Sequence, residues 1–229
     1  MKEDFTIDNS TRIELKDVIR PRDKSFLEKL LILSSWAFYK PYPQRRINSL
    51  YFDSIDFSSI RDSLEGFSKR TKKRLRWYGP LKSAVSTNLE YKFKHAHLSA
   101  KETSFDYCSI DPSAEKWNSF FSNDKWAALS LGDYSFPRSV VSYQRTYYQS
   151  KNKKIRVTFD EDIRFYDQHL GKSPNLENAR YLSDKLIVEI KVAYKDQYLA
   201  KDMQKVLPFS PRRFSKYCES HFSRKPTLC

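Results

Sequence analysis

NLEYKFK, residues 88–94, sets Glu90, Lys92 and Lys94 on alternate positions, with Leu89, Tyr91 and Phe93 between them. Alternate residues of a β-strand project from one face, about 6.6 Å apart, so the stretch reads as a strand with a charged side and an apolar side. The acid-x-base unit recurs as Glu14-x-Lys16 in TRIELKDVI (11–19) and as Glu189-x-Lys191 in YLSDKLIVEIKVAY (181–194). Arg74-x-Arg76 in KRTKKRLRWY (69–78) and Arg156-x-Thr158-x-Asp160 in KKIRVTFDEDIRFY (153–166) add two more charged faces, and Arg145 lies within RSVVSYQRTYYQ (138–149).

Antiparallel strands often turn a polar side to water, and any one of these strands fits that reading. The set does not. The backs of the strands are strongly apolar (Ile155, Val157, Phe159; Leu186, Val188, Ile190, Val192), and the polar sides carry few of the Ser, Thr and Gln residues of a merely solvated sheet. Apolar outsides and charged insides predict an α+β fold built on an antiparallel barrel with a polar, basic lumen, flanked by helices. Helical spacing over 21–38 and 195–207, and over 111–131 with Asp111 as N-cap, supplies those helices, and DFSSIRDSLEG (56–66) reads as a turn or short helix closed by Gly66. SAKETSFDY is the expected hairpin partner of the 88–94 strand, and a tight hairpin is expected at 150–153. No linker, repeat or low-complexity stretch divides the chain, so residues 1–229 are read as one unit.

The formal net charge is +14 over 229 residues, which points to an acidic partner: nucleic acid, an anionic membrane surface or a phosphate-rich molecule. With 15 Tyr and 16 Phe against 4 Gly, disorder is a poor reading. Cys108, Cys218 and Cys229 are too far apart for a metal knuckle or disulfide framework and fit a reducing compartment. There is no apolar run of membrane-spanning length and no signal-type amino terminus, so a cytoplasmic location is expected.

Bases held in a partly enclosed lumen are costly unless anions compensate them, and a mixture of Arg forks and Lys point charges suits a chain of phosphates. Glutamates among those bases either pair with Lys or hold a hard cation such as Mg²⁺ or Mn²⁺.

Taken in order, RIELK (12–16), INSLYFD (47–53), LEG (64–66), KRLRWYG (73–79), LEYKFK (89–94), SYQRTYY (142–148), IRVTFDEDIRF (155–165), LIVEIKV (186–192) and FSKY (214–217) resemble the VTC domain. This is the catalytic module of polyphosphate polymerases, within the triphosphate tunnel metalloenzyme superfamily. The resemblance spans nearly the whole chain and implies an antiparallel eight-stranded tunnel that transfers the γ-phosphoryl group of ATP to a growing polyphosphate chain. It implies phosphate-binding bases at Lys16, Arg74, Arg76, Lys92, Arg145, Arg156 and Lys191, with Lys94 beside Lys92 and Lys101 as a weaker match. It implies Glu189 as ligand of Mn²⁺ or Mg²⁺, and Ser215 with Lys216 as the segment that closes over the phosphates. RIELK carries Arg12 where hydrolytic tunnel enzymes place the first Glu of an ExExK strand, which weighs toward a polymerase. Eukaryotic relatives add an amino-terminal phosphate-sensing domain and a membrane segment, and neither is expected within residues 1–229.

Rival readings are a tripolyphosphatase or nucleotide cyclase on the same tunnel, and a module that binds polyphosphate or nucleic acid without turnover. No RNP1 segment, helix-turn-helix, zinc finger or GxxxxGK[ST] loop is found, so nucleic acid is not expected. Asp160 is either a second metal ligand beside Glu189 or the ion-pair partner of Arg145 or Arg156. His95 and His97 read as strand-end residues before a metal pair. Trp77 and Tyr78 either stack on an adenine or pack in the wall. Arg212 and Arg213 read as surface charge, and KRTKKR (69–74) as solvated except for Arg74. The roles of Glu14 and Glu90 are left open.

Overall fold

Alternation of charged and apolar residues produces nine strands among the described residues: β1 (Arg12–Ile19), β2 (Arg45–Asp53), β3 (Lys69–Tyr78), β4 (Val85–His95), β5 (Leu98–Ile110), β6 (Phe136–Gln149), β7 (Ile155–Asp167), β8 (Arg180–Leu182) and β9 (Leu186–Ala193). The computed structural model describes residues 11–82, 85–96, 98–110, 136–169 and 172–222, and the side chains of residues 85, 86 and 101–110 lie outside that description. So do the expected helix over 111–131, the side chains of Lys101 and Cys108, and His97 and Cys229. The hydrogen-bonded order is β6-β2-β3-β4-β5-β1-β9-β7, and β6 also pairs with β7, closing an eight-stranded antiparallel barrel; the short β8 adds to β7 outside the ring. Residues 181–194, expected as one strand, are thus two strands split by a turn at 183–184.

Helices α1 (Lys24–Leu33) and α3 (Tyr198–Val206) cover the outer side of β7 and β9. Leu27, Leu31, Leu199 and Met203 pack there against Ile155, Val157, Phe159, Val188 and Ile190, the apolar faces that the sequence sets opposite the charges. Burying such side chains gives about 1.5–3 kcal/mol each, which lets the other faces remain charged. A second outer cluster joins Leu50, Phe52, Leu75, Trp77, Leu89 and Val140 to Tyr166 and Leu176, so Trp77 is a wall residue.

Helix α2 (Ser58–Glu65) ends on Gly66, whose φ of +78° is left-handed backbone that glycine adopts at no steric cost. It lies with α4 (Lys216–Phe222) at one end of the barrel. Tyr217 of α4 stacks on Tyr51 at 4.7 Å, and its hydroxyl donates to the buried Asp53 carboxylate at 2.8 Å. Asp53 also accepts the backbone N–H groups of Ser54 and Ser59, which ties α2 to the same point.

A β-bulge in β7 decides which residues enter the barrel. The register with β6 shifts between Ser142 and Gln144, opposite Asp162, whose φ is +48°. After Asp160, strict alternation would turn Asp162 and Arg164 inward. The extra residue instead places Ile163 and Phe165 against Val141, Tyr143 and Ile187, and Asp162 pairs with Arg46 and Arg164 on the outside. Among the described residues, no helix is long and apolar enough to cross a membrane.

Candidate functional site: a basic tunnel

The charged faces of the strands meet inside the barrel. Lys16, Lys72, Arg74, Arg76, Lys92, Arg145, Lys191 and Lys216 share this space with Glu14, Glu90, Asp160 and Glu189, so the named bases outnumber the named acids eight to four.

The antiparallel register of β1 and β9 sets Glu14 opposite Lys191 and Lys16 opposite Glu189, a reciprocal arrangement of the two acid-x-base units. Glu189 meets Lys191 at 3.2 Å, Lys16 at 3.5 Å and Arg145 at 3.6 Å. Glu14 pairs with Lys92 across the lumen and lies 3.9 Å from Lys191. Burial alone would raise Glu14, but Lys92 and Lys191 outweigh it and hold the carboxyl at about 2. Glu189 is likewise held well below the usual carboxylate range, against its burial, by Lys191, Lys16 and Arg145. Lys92 is pushed down to about 7 by burial, with Lys16 and Lys191 adding to the effect against Glu14. The asymmetry follows from the excess of bases: Glu14 and Glu189 each have several cations, while Lys92 meets Lys16 and Lys191 as well as Glu14.

On the opposite wall, Glu90 of β4 accepts Arg74 at 2.6 Å and lies 3.5 Å from Arg76. Arg74 also donates to the Tyr51 hydroxyl at 2.9 Å. Glu90 is therefore an orienter of two arginines. Asp160 takes Arg145 through both oxygens, at 2.5 and 2.7 Å, and Lys216 at 2.5 Å. Of the two expected roles of Asp160, the geometry shows the ion pair.

Strand polarity gives the tunnel two unlike ends. At one, segment 212–217 crosses the barrel: Ser215 Oγ accepts Lys72 at 2.8 Å, the Phe214 carbonyl accepts Lys16 at 3.4 Å, and Lys216 sits 4.6 Å from the Tyr143 ring. Lys94, half-buried, lies toward this end beside Arg70 in register. The other end is marked by Tyr78 closing β3, Arg45 opening β2, and Arg156 near the start of β7. Arg156, expected as a tunnel base with Arg74, stands at this mouth and not deep in the lumen. It shares a face with Thr158 and Asp160 but is exposed at the rim, opposite Gln149 and Lys191, because it is only the second residue of its strand.

Lys72 is a tunnel base that the sequence reading set aside with the solvated charges of KRTKKR. Its signal was available, since it continues the alternate row of Arg74 and Arg76. Tyr51 and Arg45 gave no such signal, because each lies among residues of ordinary strand composition.

The donor set for a hard cation is Glu14 and Glu189, two ionised carboxylates on neighbouring strands and close enough for Glu189 to oppose the ionisation of Glu14. Among the described residues no group of three or more His, Cys, Asp or Glu side chains forms a metal cage. Two carboxylates with phosphate and water oxygens completing the shell match the habit of Mg²⁺ and Mn²⁺, so the donor set fits such an ion.

The family model described as the VTC domain matches residues 11–223. No curated protein matches the sequence. Among solved structures, a candidate adenylate cyclase from Vibrio parahaemolyticus is similar with a TM-score of 0.52 at 12% identity, covering 94% of this chain and 100% of its own. A candidate adenylyl cyclase from Hippeastrum, whose dominant activity is that of a triphosphatase, is similar with a TM-score of 0.50 at 13% identity, covering 95% of this chain and 98% of its own. At these identities the likeness is one of fold.

Proposed function

We propose that this chain, which belongs to the VTC domain family, is a polyphosphate polymerase that moves the γ-phosphoryl group of ATP onto the end of an inorganic polyphosphate chain. The observation that carries this reading is the excess of bases over acids, eight to four among the residues named above, on the described inner faces of a closed barrel. Such a lumen needs a polyanion to balance it. A hydrolytic tunnel would be expected to be richer in acids, and β1 begins with Arg12 where such enzymes carry the first glutamate.

In this reading Arg74, Arg76, Arg145 and Lys216 surround the transferring group, and Lys16, Lys72, Lys92, Lys94, Lys101, Lys191 and Ser215 hold the flanking phosphates. A terminal oxygen of the polyphosphate forms a bond to the γ-phosphorus, the bond from that phosphorus to the β–γ bridging oxygen breaks, and ADP leaves. The arginines neutralise charge on the equatorial and bridging oxygens, and Glu90 and Asp160 keep the guanidinium planes oriented toward them. Glu189 and Glu14 would hold Mn²⁺ or Mg²⁺, which when bound polarises the phosphoryl oxygens. Catalysis of this kind rests on positioning and needs no protein nucleophile.

The test is incubation of the purified chain with ATP and Mn²⁺ or Mg²⁺, followed by separation of products. Long polyphosphate with ADP supports the proposal. Free phosphate alone, or cyclic nucleotide, would replace it by a triphosphatase or a cyclase on the same tunnel. Salt-sensitive binding with no product would leave a polyanion-binding module.

A further inference from the structure

Three tyrosine rings surround one guanidinium at the end of the tunnel away from α4. Arg45 opens β2, Tyr78 closes β3 and Tyr147 lies near the end of β6, so the inner faces of three adjacent strands meet there, and Tyr42 reaches in from the segment before β2. The Arg45 guanidinium carbon lies 4.8 Å from the centre of the Tyr42 ring, 4.9 Å from that of Tyr147 and 5.2 Å from that of Tyr78. Tyr42 meets Tyr147 edge-on at 5.6 Å. Among the described residues no acid pairs with Arg45, and its buried Nε has no hydrogen-bond partner. The rings, not a carboxylate, fix this cation.

Two features distinguish the collar from ordinary packing. Tyr42 is 53% exposed and Tyr78 41% exposed, so both keep much of their surface in water. Arg145, bound to Asp160 inside the tunnel, lies 6.0 Å from the Tyr147 ring, so the collar adjoins the phosphate-binding bases directly. A phosphate chain by itself calls for Lys and Arg, as the rest of the lumen supplies. A cluster of half-exposed rings around a cation whose charge no acid offsets calls for a flat π-face attached to an anion.

We propose that Tyr42, Tyr78 and Tyr147, arranged around Arg45, form the platform on which the purine of a nucleoside triphosphate stacks, with its phosphates running inward past Arg145. This rests on the tunnel reading above and assigns the nucleotide its mouth: the base stays at the collar, and the terminal phosphate reaches the inner bases.

The experiment is calorimetric titration of the full chain with ATP and, separately, with inorganic tripolyphosphate, for the wild type, Tyr42→Ala, Tyr78→Ala and Tyr78→Phe. Each Ala variant should lose roughly tenfold in ATP affinity, the scale of one base–aromatic stack, and change by less than about twofold toward tripolyphosphate. Tyr78→Phe keeps the ring and should match the wild type. Tyr42 precedes β2 and lies largely in solvent, so its truncation leaves the barrel intact, and a thermal melt checks this. Equal losses for both ligands, or unchanged ATP binding in both Ala variants, would overturn the platform. A wild type that binds tripolyphosphate but not ATP overturns the platform and leaves the tunnel standing. One that binds neither removes the tunnel reading and the platform together.

Discussion

Asp160 receives Arg145 through both of its carboxylate oxygens, at 2.5 and 2.7 Å, and Lys216 of α4 reaches the same carboxylate at 2.5 Å. One fully buried acid thus orients a tunnel arginine and fastens the helix that crosses the tunnel end. Both cations and their acid are enclosed, so the arrangement is far more sensitive to loss of one member than a surface pair is.

Replacing Asp160 by Asn should therefore destabilise the fold by about 3–5 kcal/mol at neutral pH, because Lys216 loses the carboxylate it binds and Arg145 keeps only the more distant Glu189. Against its burial, Arg145 and Lys216 hold the Asp160 carboxyl below the ordinary range. A carboxyl lowered on folding stabilises the protein above its unfolded value of about 3.9, and that contribution is lost as the pH falls below it. Urea titrations of both proteins from pH 7 to pH 3 should show a gap that is steady down to about pH 5 and then narrows by up to about 1 kcal/mol at the acid end. A constant gap across that range would contradict the pairing.

Arg74 and Arg156, read alike in the sequence, should separate on mutation. Arg156→Ala removes an exposed rim residue and should change stability by no more than about 0.5 kcal/mol. Arg74→Ala takes from the buried Glu90 the nearer of its two arginines and deprives the Tyr51 hydroxyl of its donor, at a cost of about 1–3 kcal/mol. In a product assay Arg74→Ala should abolish turnover, while Arg156→Ala should retain part of it. The placement of Arg156 at the rim is wrong if the two variants lose the same stability.

The excess of inward bases predicts strong stabilisation by polyanions even without metal. Tripolyphosphate at about a hundred times its Kd should raise unfolding free energy by about 2.7 kcal/mol, and the shift should shrink with added salt. Equal stabilisation by chloride at the same ionic strength would sink the claim of a phosphate-binding lumen.

Glu189→Gln removes the acid shared by Lys16, Lys191 and Arg145. In polyanion-free buffer the variant should lose about 1–3 kcal/mol, and tripolyphosphate should restore more of its stability than it adds to the wild type. The metal titration of turnover should weaken as well. Unchanged metal dependence, measured beside Glu14→Gln, would remove both glutamates as ligands.

Tyr217 is pushed above the ordinary phenol range by burial and by the Asp53 carboxylate that accepts its proton. A phenol raised on folding contributes fully below its unfolded pKa of about 10 and loses that contribution as the pH rises past it. Tyr217→Phe should cost about 1–2 kcal/mol at pH 7. The difference from wild type should narrow above about pH 10 in fluorescence-monitored unfolding, and a difference that grows there would rule out a neutral, donating phenol.

The wall of this protein is already legible in one dimension. A period of two fixes which side of each strand is charged, and the Glu-x-Lys units of β1, β4 and β9, with the apolar backs of β7 and β9, left a polar-lumened barrel as the consistent arrangement. The same period could have identified Lys72. It could not carry past Asp162, because one extra residue there turns Ile163 and Phe165 inward and Arg164 outward. Nor could it distinguish Arg74 from Arg156: which charges are enclosed and which stand at a rim depends on where each strand ends relative to its neighbours. Partner choice was likewise out of reach of the one-dimensional pattern. Asp160 joining Arg145 and Lys216, Glu90 holding two arginines, and Arg45 caged by three tyrosines are contacts among residues as far as 102 positions apart. Only barrel closure brings such groups within a few ångströms, and Coulomb attraction and ring packing at that distance, not local propensity, decide how they pair.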